Sequence, residues 1–404
     1  MELIASLERG LAAREAAGLT RTRRIVDGRD GVRFTVDGRA RIGFASNDYL
    51  GLAGHPDVVA AAQAATARWG AGSGASHLIC GHFAPHAALE ALLADFLRPY
   101  PCPGATALAF SSGYLANLAI LTALAGRGHA VFADRLNHAC LNDGALLSRA
   151  TFVRYPHADV AALRARLAAS DAPRKLIATD AVFSMDGDIA PLPELLALAE
   201  EFDAWLVVDD AHGFGVLGDA AQPGRGSLAH FGLASERIVY MGTLGKAAGV
   251  AGAFVAAHPA VVETLVQAAR CYVFTTAAPP LLAAALEASI GIIRDDRARH
   301  AHLGALIARF RARVGPLAWR LLPSSTPIQP LVVGANAAAV ALSDALWQRG
   351  FWVPAIRPPT VPSGTARLRI TLTAAHTPDD VDALAGALAE LAAGTGPAAG
   401  GDAR

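Results

Sequence analysis

With 404 residues, the chain is long enough for more than one hydrophobic core, so two domains are expected. A composition with 53% hydrophobic and 17% charged residues excludes a mainly disordered protein. The 35 basic and 35 acidic residues cancel, which leaves no global field to attract nucleic acid or an acidic membrane surface.

The cysteines and the N-terminal residues indicate a cytoplasmic protein. Cys80, Cys102, Cys140 and Cys271 are scattered and form no CxxC pair, which argues against a disulfide framework or a zinc knuckle. The first residues carry charges early and lack the apolar core of a secretory signal. The uncharged stretch 99–126 contains several prolines and polar residues, unlike a membrane span. We therefore expect no membrane and no nucleic-acid partner.

The first 50 residues are predicted to form a helix and a hairpin. Residues 1–24 place Leu3, Leu7 and Leu11 on one helical face. This segment ends in three arginines, for which a solvated surface patch is the simplest interpretation. Residues 32–39 predict a hairpin with an Asp-Gly turn.

From about residue 56 to 300, short apolar runs alternate with helical segments. This alternation predicts an α/β fold with a mainly parallel, doubly wound sheet and helices on both of its faces. Ligands gather at the carboxyl ends of the strands in such sheets. The apolar runs are 107–110, 130–133, 176–179, 205–208, 238–241 and 253–256.

The remaining residues predict a small α+β C-terminal domain. A long helical passage covers about 275–315, strands cover 328–333, 352–356 and 368–372, and helices cover 335–349 and 378–393. The predicted division is an N-terminal segment 1–50, a large domain 51–290, a small domain 291–393 and a flexible tail 394–404.

Lys246 and Asp209 suggest the chemistry. Lys246 follows one apolar run, and Asp209 ends another. An amine can form a Schiff base with pyridoxal 5′-phosphate (PLP), and a carboxylate can hold the pyridine nitrogen protonated. Burying Asp209 alone would cost several kcal/mol (roughly), so it requires a cationic partner. A structural salt bridge is the alternative.

A phosphate site is suggested where Ser111-Ser112-Gly113 follows a strand and opens a helix. A helix N-terminus offers free backbone N–H groups to an anion, and glycine at Gly113 permits close approach. An ordinary N-cap at Ser112 explains the same residues.

Three further side chains have two interpretations each. His138 lies just beyond a strand and either stacks on the PLP ring or satisfies a loop carbonyl. His212 either reaches the phenolic oxygen of the cofactor or bonds to its own loop. Arg367 and Arg369 share one side of a strand, where one of them either clamps a substrate carboxylate or is solvated.

No metal site is predicted. Asp209, Asp210 and His212 resemble a fragment of one, without a second cluster at suitable spacing. His82 and His86, with Glu90 four residues further on, flank Pro85, and this pattern favours a helix start over a set of metal ligands.

Several motifs together resemble the α-oxoamine synthases, a family of PLP enzymes that join an amino acid to an acyl thioester with loss of CO₂. The matching stretches are Asp209-Asp210-Ala211-His212-Gly213, Thr243-Leu244-Gly245-Lys246, Ser184-Met185-Asp186-Gly187-Asp188, Asn47-Asp48-Tyr49-Leu50-Gly51, Gly72-Ser73-Gly74 and Phe274-Thr275-Thr276. The resemblance runs from about Ser6 to Leu391 and implies a fold-type I PLP-dependent transferase with a seven-stranded-type sheet. The loop at Ala75-Ser76-His77 and His82 departs from the family pattern.

The resemblance also implies residue roles. Lys246 would anchor PLP and move the Cα proton, with Asp209 on the pyridine nitrogen and His138 on the ring. Ser184 and His212 would reach the phenolic oxygen. Residues expected to hold the cofactor further include Ser112, Gly113, Tyr114 and Thr243, with Thr275 or Thr276 reaching its phosphate from the other subunit of a homodimer. Substrate contacts would come from Arg21, Asn47, His138, Thr360 and Arg369.

Residues 355–362 and 365–374 are similar to the biotin-pathway member of the family. That similarity implies L-alanine and a pimeloyl thioester, carried by coenzyme A or acyl carrier protein, as substrates. The alternatives are glycine-using relatives (2-amino-3-ketobutyrate ligase or 5-aminolevulinate synthase), serine palmitoyltransferase, a PLP aminotransferase and a non-catalytic scaffold. Retention of Lys246, Asp209 and His212 argues against the scaffold.

Overall fold

The computed structural model describes residues 2–394 and begins with an isolated helix, α1 (Glu2–Ala16). None of its side chains is buried, and Leu3, Leu7 and Leu11 are exposed. The prediction of a helix to residue 24 was wrong, because the helix ends before Gly18, whose φ of +63° breaks it.

The predicted hairpin is confirmed. Its strands are β2 (Arg33–Val36) and β3 (Arg39–Gly43), preceded by β1 (Gly28–Asp30). Asp37 and Gly38 between β2 and β3 both have positive φ, as a two-residue hairpin turn requires.

A seven-stranded sheet forms the centre of the fold and confirms the predicted fold class. Its order is β4-β10-β9-β8-β7-β5-β6, in which neighbours from β9 to β6 are parallel and β10 is antiparallel to β9 and β4. The strands are β4 (Thr106–Phe110), β5 (Ala130–Asp134), β6 (Thr151–Tyr155), β7 (Lys175–Asp180), β8 (Ala204–Asp209), β9 (Ile238–Thr243) and β10 (Ala253–Ala257).

Six of these strands are the predicted apolar runs, and β6 was missed. β6 lies at the sheet edge and carries the exposed Arg154, so it lacks a continuous apolar signal. The central strands are apolar throughout because helices cover both faces. In β7, Ile177 packs into one hydrophobic core and its neighbours Leu176 and Ala178 pack into the other.

Helices surround this sheet. They are α2 (Pro56–Trp69), α3 (Ala84–Leu97), α4 (Gly113–Leu124), α5 (Ala139–Ser148), α6 (Val160–Ala168), α7 (Leu192–Glu201), α8 (Ser227–Phe231), α9 (Pro259–Ala268) and α10 (Arg270–Val273), with one π-helical turn at His77–Gly81.

Two long helices, α11 (Pro280–Asp295) and α12 (Arg297–Val314), lead into the C-terminal part. The single helical passage predicted over 275–315 is divided at Asp296, whose side chain accepts a hydrogen bond from the Arg299 amide at 3.0 Å and caps α12.

The C-terminal part is α+β, as predicted. Its sheet has the order β11-β12-β15-β14, and α14 packs against α12. The elements are β11 (Arg320–Leu321), β12 (Ile328–Gly334), α13 (Asn336–Gln348), β13 (Phe351–Trp352), β14 (Ala355–Ile356), β15 (Ala366–Thr371) and α14 (Pro378–Gly394).

The single strand predicted over 352–356 was wrong. β13 pairs with β3 and β14 pairs with β15, so the two short strands belong to different sheets, separated by Val353 and by Pro354, which has no N–H. The domain division at residues 50, 290 and 393 stays a prediction, and residues 395–404 of the predicted tail lie outside the described range. Between residues 2 and 394, no helix combines the length and apolar character needed to cross a bilayer.

Candidate active site

A cavity opens at the carboxyl ends of the parallel strands β7, β8 and β9. Its volume is about 180 Å³. Its lining residues are Gly113, Tyr114, His138, Cys140, Asp180, Ser184, Asp209, Ala211, His212, Met241, Thr243 and Lys246. Eight of them are residues that the sequence predicted for the site.

Lys246 lies in the turn after β9 and points into this cavity. Its Nζ is 2.9 Å from Nε2 of His212. Burial lowers the pKa of Lys246, and the charge of nearby Asp209 opposes the shift. A lowered pKa favours the neutral amine, which is the form that attacks a carbonyl.

The turn that carries Lys246 is fixed by backbone contacts. Gly249 has φ +70°, and a Cβ at this position would lie 2.5 Å from the Ala53 amide nitrogen and 2.6 Å from the carbonyl carbon of Leu52. Ser289 in α11 donates to the Ala248 carbonyl at 2.7 Å. These contacts hold the lysine turn against Leu52 and Ala53 on one side and against α11 on the other.

Asp209 forms part of the cavity floor with only 4% of its surface exposed. One of its carboxylate oxygens accepts from Nδ2 of Asn117 at 2.6 Å, and the other accepts from the Ala211 amide at 2.9 Å. Two neutral donors orient the carboxylate without neutralising it. A protonated pyridine nitrogen in the cavity would supply the missing cation.

Asp210 has a different role from its neighbour. Its Oδ2 accepts from the Ser227 amide and the Tyr240 hydroxyl, both at 2.7 Å, away from Lys246. Burial raises the pKa of Asp210 to about 7. It supports the loop and does not join Asp209 and His212 as a metal ligand.

His138 lies on the other wall of the cavity as the N-cap of α5. Its amide donates to Oδ2 of Asp180 at 2.7 Å. Its Nδ1 accepts from the Cys140 amide at 3.3 Å and lies 2.8 Å from the Cys140 thiol. Burial raises the pKa of that thiol to about 12, so it stays protonated. These contacts hold the imidazole at its Nδ1 edge.

The N-terminus of α4 lies where the sequence predicts a phosphate site, which stays a prediction. Ser112 is its N-cap, and the hydroxyl accepts from the Leu115 amide at 3.3 Å. Gly113, Tyr114 and Thr243 line the same cavity as Lys246. Backbone N–H groups at the first turn of a 12-residue helix can hold an anion here.

A chain of polar contacts leads from Lys246 to Arg369. Nδ1 of His212 lies 2.5 Å from the hydroxyl of Tyr49, which is also 3.3 Å from Oδ1 of Asn47. That same oxygen accepts from Nη1 of Arg369 at 3.2 Å. Burial lowers the pKa of His212 well below its usual value, so the imidazole is neutral. Burial raises the pKa of Tyr49, which keeps the phenol protonated.

The structure distinguishes the two arginines that the sequence left equivalent. Arg367 forms an ion pair with Asp186. Among residues 2–394, Arg369 contacts neutral acceptors and no carboxylate; two of these acceptors are the Ser184 carbonyl at 2.6 Å and the Asn47 amide oxygen.

Two predicted pairs lie outside the Lys246 cavity. Thr275 and Thr276 line a separate crevice beside Ser111. Arg21 and Thr360 line another crevice with Arg357, so they lie together but at the edge of the protein.

Four polar site residues were missed in the sequence: Tyr49, Asn117, Cys140 and Asp180. Asp180 ends β7 directly beside Asp209 at the end of β8, so the rule that placed Asp209 would have found it. Asn117 lies one helical turn after Gly113, which places it over the strand ends. Cys140 gave no signal, and Tyr49 was noted only within a stretch that matches the family, because its contact with His212 joins distant segments.

Fold and site together define a PLP-dependent enzyme of fold type I: a lysine with a lowered pKa, a buried carboxylate on neutral donors and a helix N-terminus meet in one cavity. The profile of a family described as aminotransferase class I and II matches residues 39–388. The chain belongs to this family and uses PLP.

Relatives define the class more narrowly. The chain is 60% identical over 390 residues to 8-amino-7-oxononanoate synthase from Burkholderia pseudomallei (strain 1710b), covering 96% of this chain and 98% of that protein. The structure matches a Francisella tularensis 8-amino-7-oxononanoate synthase with a TM-score of 0.75 at 30% identity, over 88% of this chain and 98% of the other. A serine palmitoyltransferase from S. paucimobilis with PLP and myriocin bound matches with a TM-score of 0.90 at 30% identity, over 98% and 99%. The resemblance to α-oxoamine synthases is confirmed.

Proposed function

We propose that this chain joins L-alanine to a pimeloyl thioester to give 8-amino-7-oxononanoate, CO₂ and the free thiol carrier, a step of biotin biosynthesis. The 60% identity to a relative of that name supports the reaction. The observation that carries its chemistry is the contact between Lys246 and His212 above the buried Asp209.

When bound, PLP supplies an electron sink for the charge left on the amino-acid Cα. Asp209 would hold the pyridine nitrogen protonated, and Asn117 and Ala211 keep its carboxylate in place. Gly113, Tyr114 and Thr243 would hold the phosphate end, with Ser112 capping the helix. His138 would cover the ring face, and Ser184 and His212 would reach the phenolic oxygen.

The proton steps belong to Lys246. Once the amino acid has displaced it, its neutral amine takes the Cα proton and later returns a proton to the product carbon. The new Cα–acyl bond forms as the thiol leaves, and the Cα–carboxylate bond breaks as CO₂ is lost. His212 is neutral and is held by Tyr49. It would exchange a proton with the Lys246 amine, and because that proton stays inside the cavity, the net charge of the cavity does not change.

The polar residues at the end of the contacts that lead from Lys246 would bind the amino-acid substrate. Arg369 and Asn47 hold the carboxylate of L-alanine, and the shared Asn47 oxygen keeps the guanidinium pointed at it. Arg21 and Thr360, in the crevice at the edge, contact the acyl substrate.

The active enzyme in this proposal is a homodimer with shared sites. Thr275 and Thr276 lie outside the Lys246 cavity of their own chain, although their crevice adjoins Ser111 at the helix entry. In a homodimer with shared sites, Thr275 and Thr276 of one subunit would reach the phosphate bound by the other subunit.

The test uses the PLP-loaded protein with L-alanine, glycine or L-serine, each combined with pimeloyl-CoA, pimeloyl-acyl carrier protein, acetyl-CoA or palmitoyl-CoA. Thiol release and product mass are measured. We expect 8-amino-7-oxononanoate only from L-alanine with a pimeloyl thioester, and the two pimeloyl arms identify the carrier. Turnover of glycine with acetyl-CoA and none of L-alanine would contradict the proposal. Conversion of PLP to its amine form by the amino acid, with release of the corresponding 2-oxo acid, would indicate an aminotransferase.

A further inference from the structure

Three histidines outside the PLP cavity come together on the loop that departs from the family pattern. They are His77 in the π-helical turn, His82 just after it and His86 in the first turn of α3. One ring nitrogen from each lies within 4.8 Å of the other two. The sequence analysis considered His82 and His86 as metal ligands and favoured a helix start instead. The structure adds His77 as a third histidine beside them.

We propose that His77, His82 and His86 form a binding site for one divalent transition-metal ion of the Zn²⁺ class, with a water in the fourth position. Imidazole nitrogen is a preferred ligand of Zn²⁺ and its neighbours in the first row. Ligand nitrogens about 2.0–2.1 Å from a tetrahedral ion lie about 3.4 Å apart, so the observed spacing requires only small side-chain adjustments.

The pair His77 and His82 is arranged for an ion between the two rings. Their Nδ1 atoms are 2.9 Å apart, so the Nδ1–H of one ring donates to the Nδ1 lone pair of the other. An ion bound between them takes both Nδ1 lone pairs, and the displaced proton moves to Nε2 of the ring that carried it, with no change in the charge of either ring.

His86 is already held in the tautomer that a ligand needs. Its Nε2 lies 2.8 Å from the Ala278 carbonyl, to which it donates, and its Nδ1 accepts from the Phe83 amide at 3.0 Å. A metal-binding histidine usually donates its other ring N–H to a group such as a backbone carbonyl. The ion takes the place of the Phe83 amide, which lies at a helix N-terminus where water can satisfy it.

Glu90 provides the matching carboxylate for His82. Its Oε2 is 3.9 Å from Nε2 of His82, and its Oε1 accepts from the Ala109 amide at 2.9 Å. The far nitrogen of His82 therefore faces an acid, as in a carboxylate–histidine–metal arrangement.

The site would join two segments next to the PLP cavity. His77 stacks on Tyr272 with ring centroids 4.9 Å apart, and Ser76 pairs with Thr276 in a β-bridge. An ion that fixes His77 to His86 would fix the loop that also contacts Thr276. Its expected effect is a more stable loop rather than a change in the chemistry at Lys246.

The test measures binding of Co²⁺ and Zn²⁺ to the untagged, PLP-loaded protein after removal of metals. We expect one equivalent of Zn²⁺ per chain by elemental analysis. Co²⁺ should give visible bands of a tetrahedral site, and Zn²⁺ should abolish them. His77→Gln and His82→Gln should each weaken binding by at least about 10-fold, and Glu90→Gln by about 10-fold, the size of a lost outer-shell partner.

His230→Gln is the matched control, since His230 is an exposed histidine outside the cluster. It should bind like the wild type. Zn²⁺ should raise the melting temperature of the wild type and of this control but not of His82→Gln. Absence of the Co²⁺ bands, or equal affinity in His77→Gln and His230→Gln, would overturn the proposal.

Discussion

The floor of the PLP cavity and the crevice at Arg21 differ in how completely their polar groups are partnered. On the floor, Asp209 and His212 are buried, and each makes two contacts at hydrogen-bond distance. In the crevice, Arg21 belongs to an exposed segment that follows a helix with no buried side chain. The floor is therefore fixed by contacts within the chain, whereas Arg21 in the crevice remains exposed to solvent.

The strongest test of the floor is Lys246→Ala. We expect turnover to fall by at least about 10⁴-fold, because both the covalent anchor and the proton-transferring amine are lost. The protein should still fold, since a buried amine is removed. Turnover is measured by product mass.

The chain contains one other lysine, Lys175, at the start of β7. Lys175→Ala is the matched control and should keep its activity. Borohydride reduction of the wild type should attach the cofactor to the peptide that contains Lys246. Attachment at Lys175 would show that the anchor is misassigned.

Asp209→Asn tests whether the floor acts through charge. We expect a loss of roughly 10²-fold in kcat, comparable to removal of a positioned electrostatic group. PLP should still bind, because an amide keeps the shape of the side chain. Asp210→Asn should change activity little, since Asp210 faces Ser227 and Tyr240. Equal losses in both variants would argue for a structural effect.

Tyr49→Phe tests the contact that orients His212. The loss of one buried hydrogen bond, about 1–2 kcal/mol, predicts about a 5- to 30-fold fall in kcat. Burial holds the pKa of His212 below its usual value, so activity depends on a neutral ring and falls as the ring gains a proton at acid pH. We expect the acid limb of the pH–rate profile to move in Tyr49→Phe, and a lower kcat with an unchanged profile would exclude the orienting role.

Arg21→Ala should give the smallest effect, and this effect should be on KM rather than on kcat. A partly exposed contact contributes about 1 kcal/mol or less, so the KM of the acyl substrate should rise by roughly 3- to 5-fold with kcat unchanged. Arg23→Ala, in the same exposed segment, is the control. A fall in kcat as large as that of Tyr49→Phe would remove the distinction between crevice and floor.

The same distinction explains what the sequence predicted. Six of the seven strands of the large sheet were predicted because strands covered on both faces are continuously apolar, and the acids and histidines at their ends followed from the topology. The edge strand β6 and the end of α1 were missed or misplaced because exposed residues carry no periodic signal. The contact of Tyr49 with His212 joins residues 163 positions apart, which no local pattern encodes. The choice between Arg367 and Arg369 required knowing where Asp186 lies.

The packing of Gly249 against Leu52 and Ala53 has a consequence for how this enzyme can be altered. Backbone meets backbone there, so no side chain lies between the turn of Lys246 and the segment that carries Asn47. The distance between Lys246 and the carboxylate site is thus set by backbone packing, and side-chain substitutions cannot increase it gradually. Evolution or design toward larger amino acids therefore has to change other residues of the cavity lining.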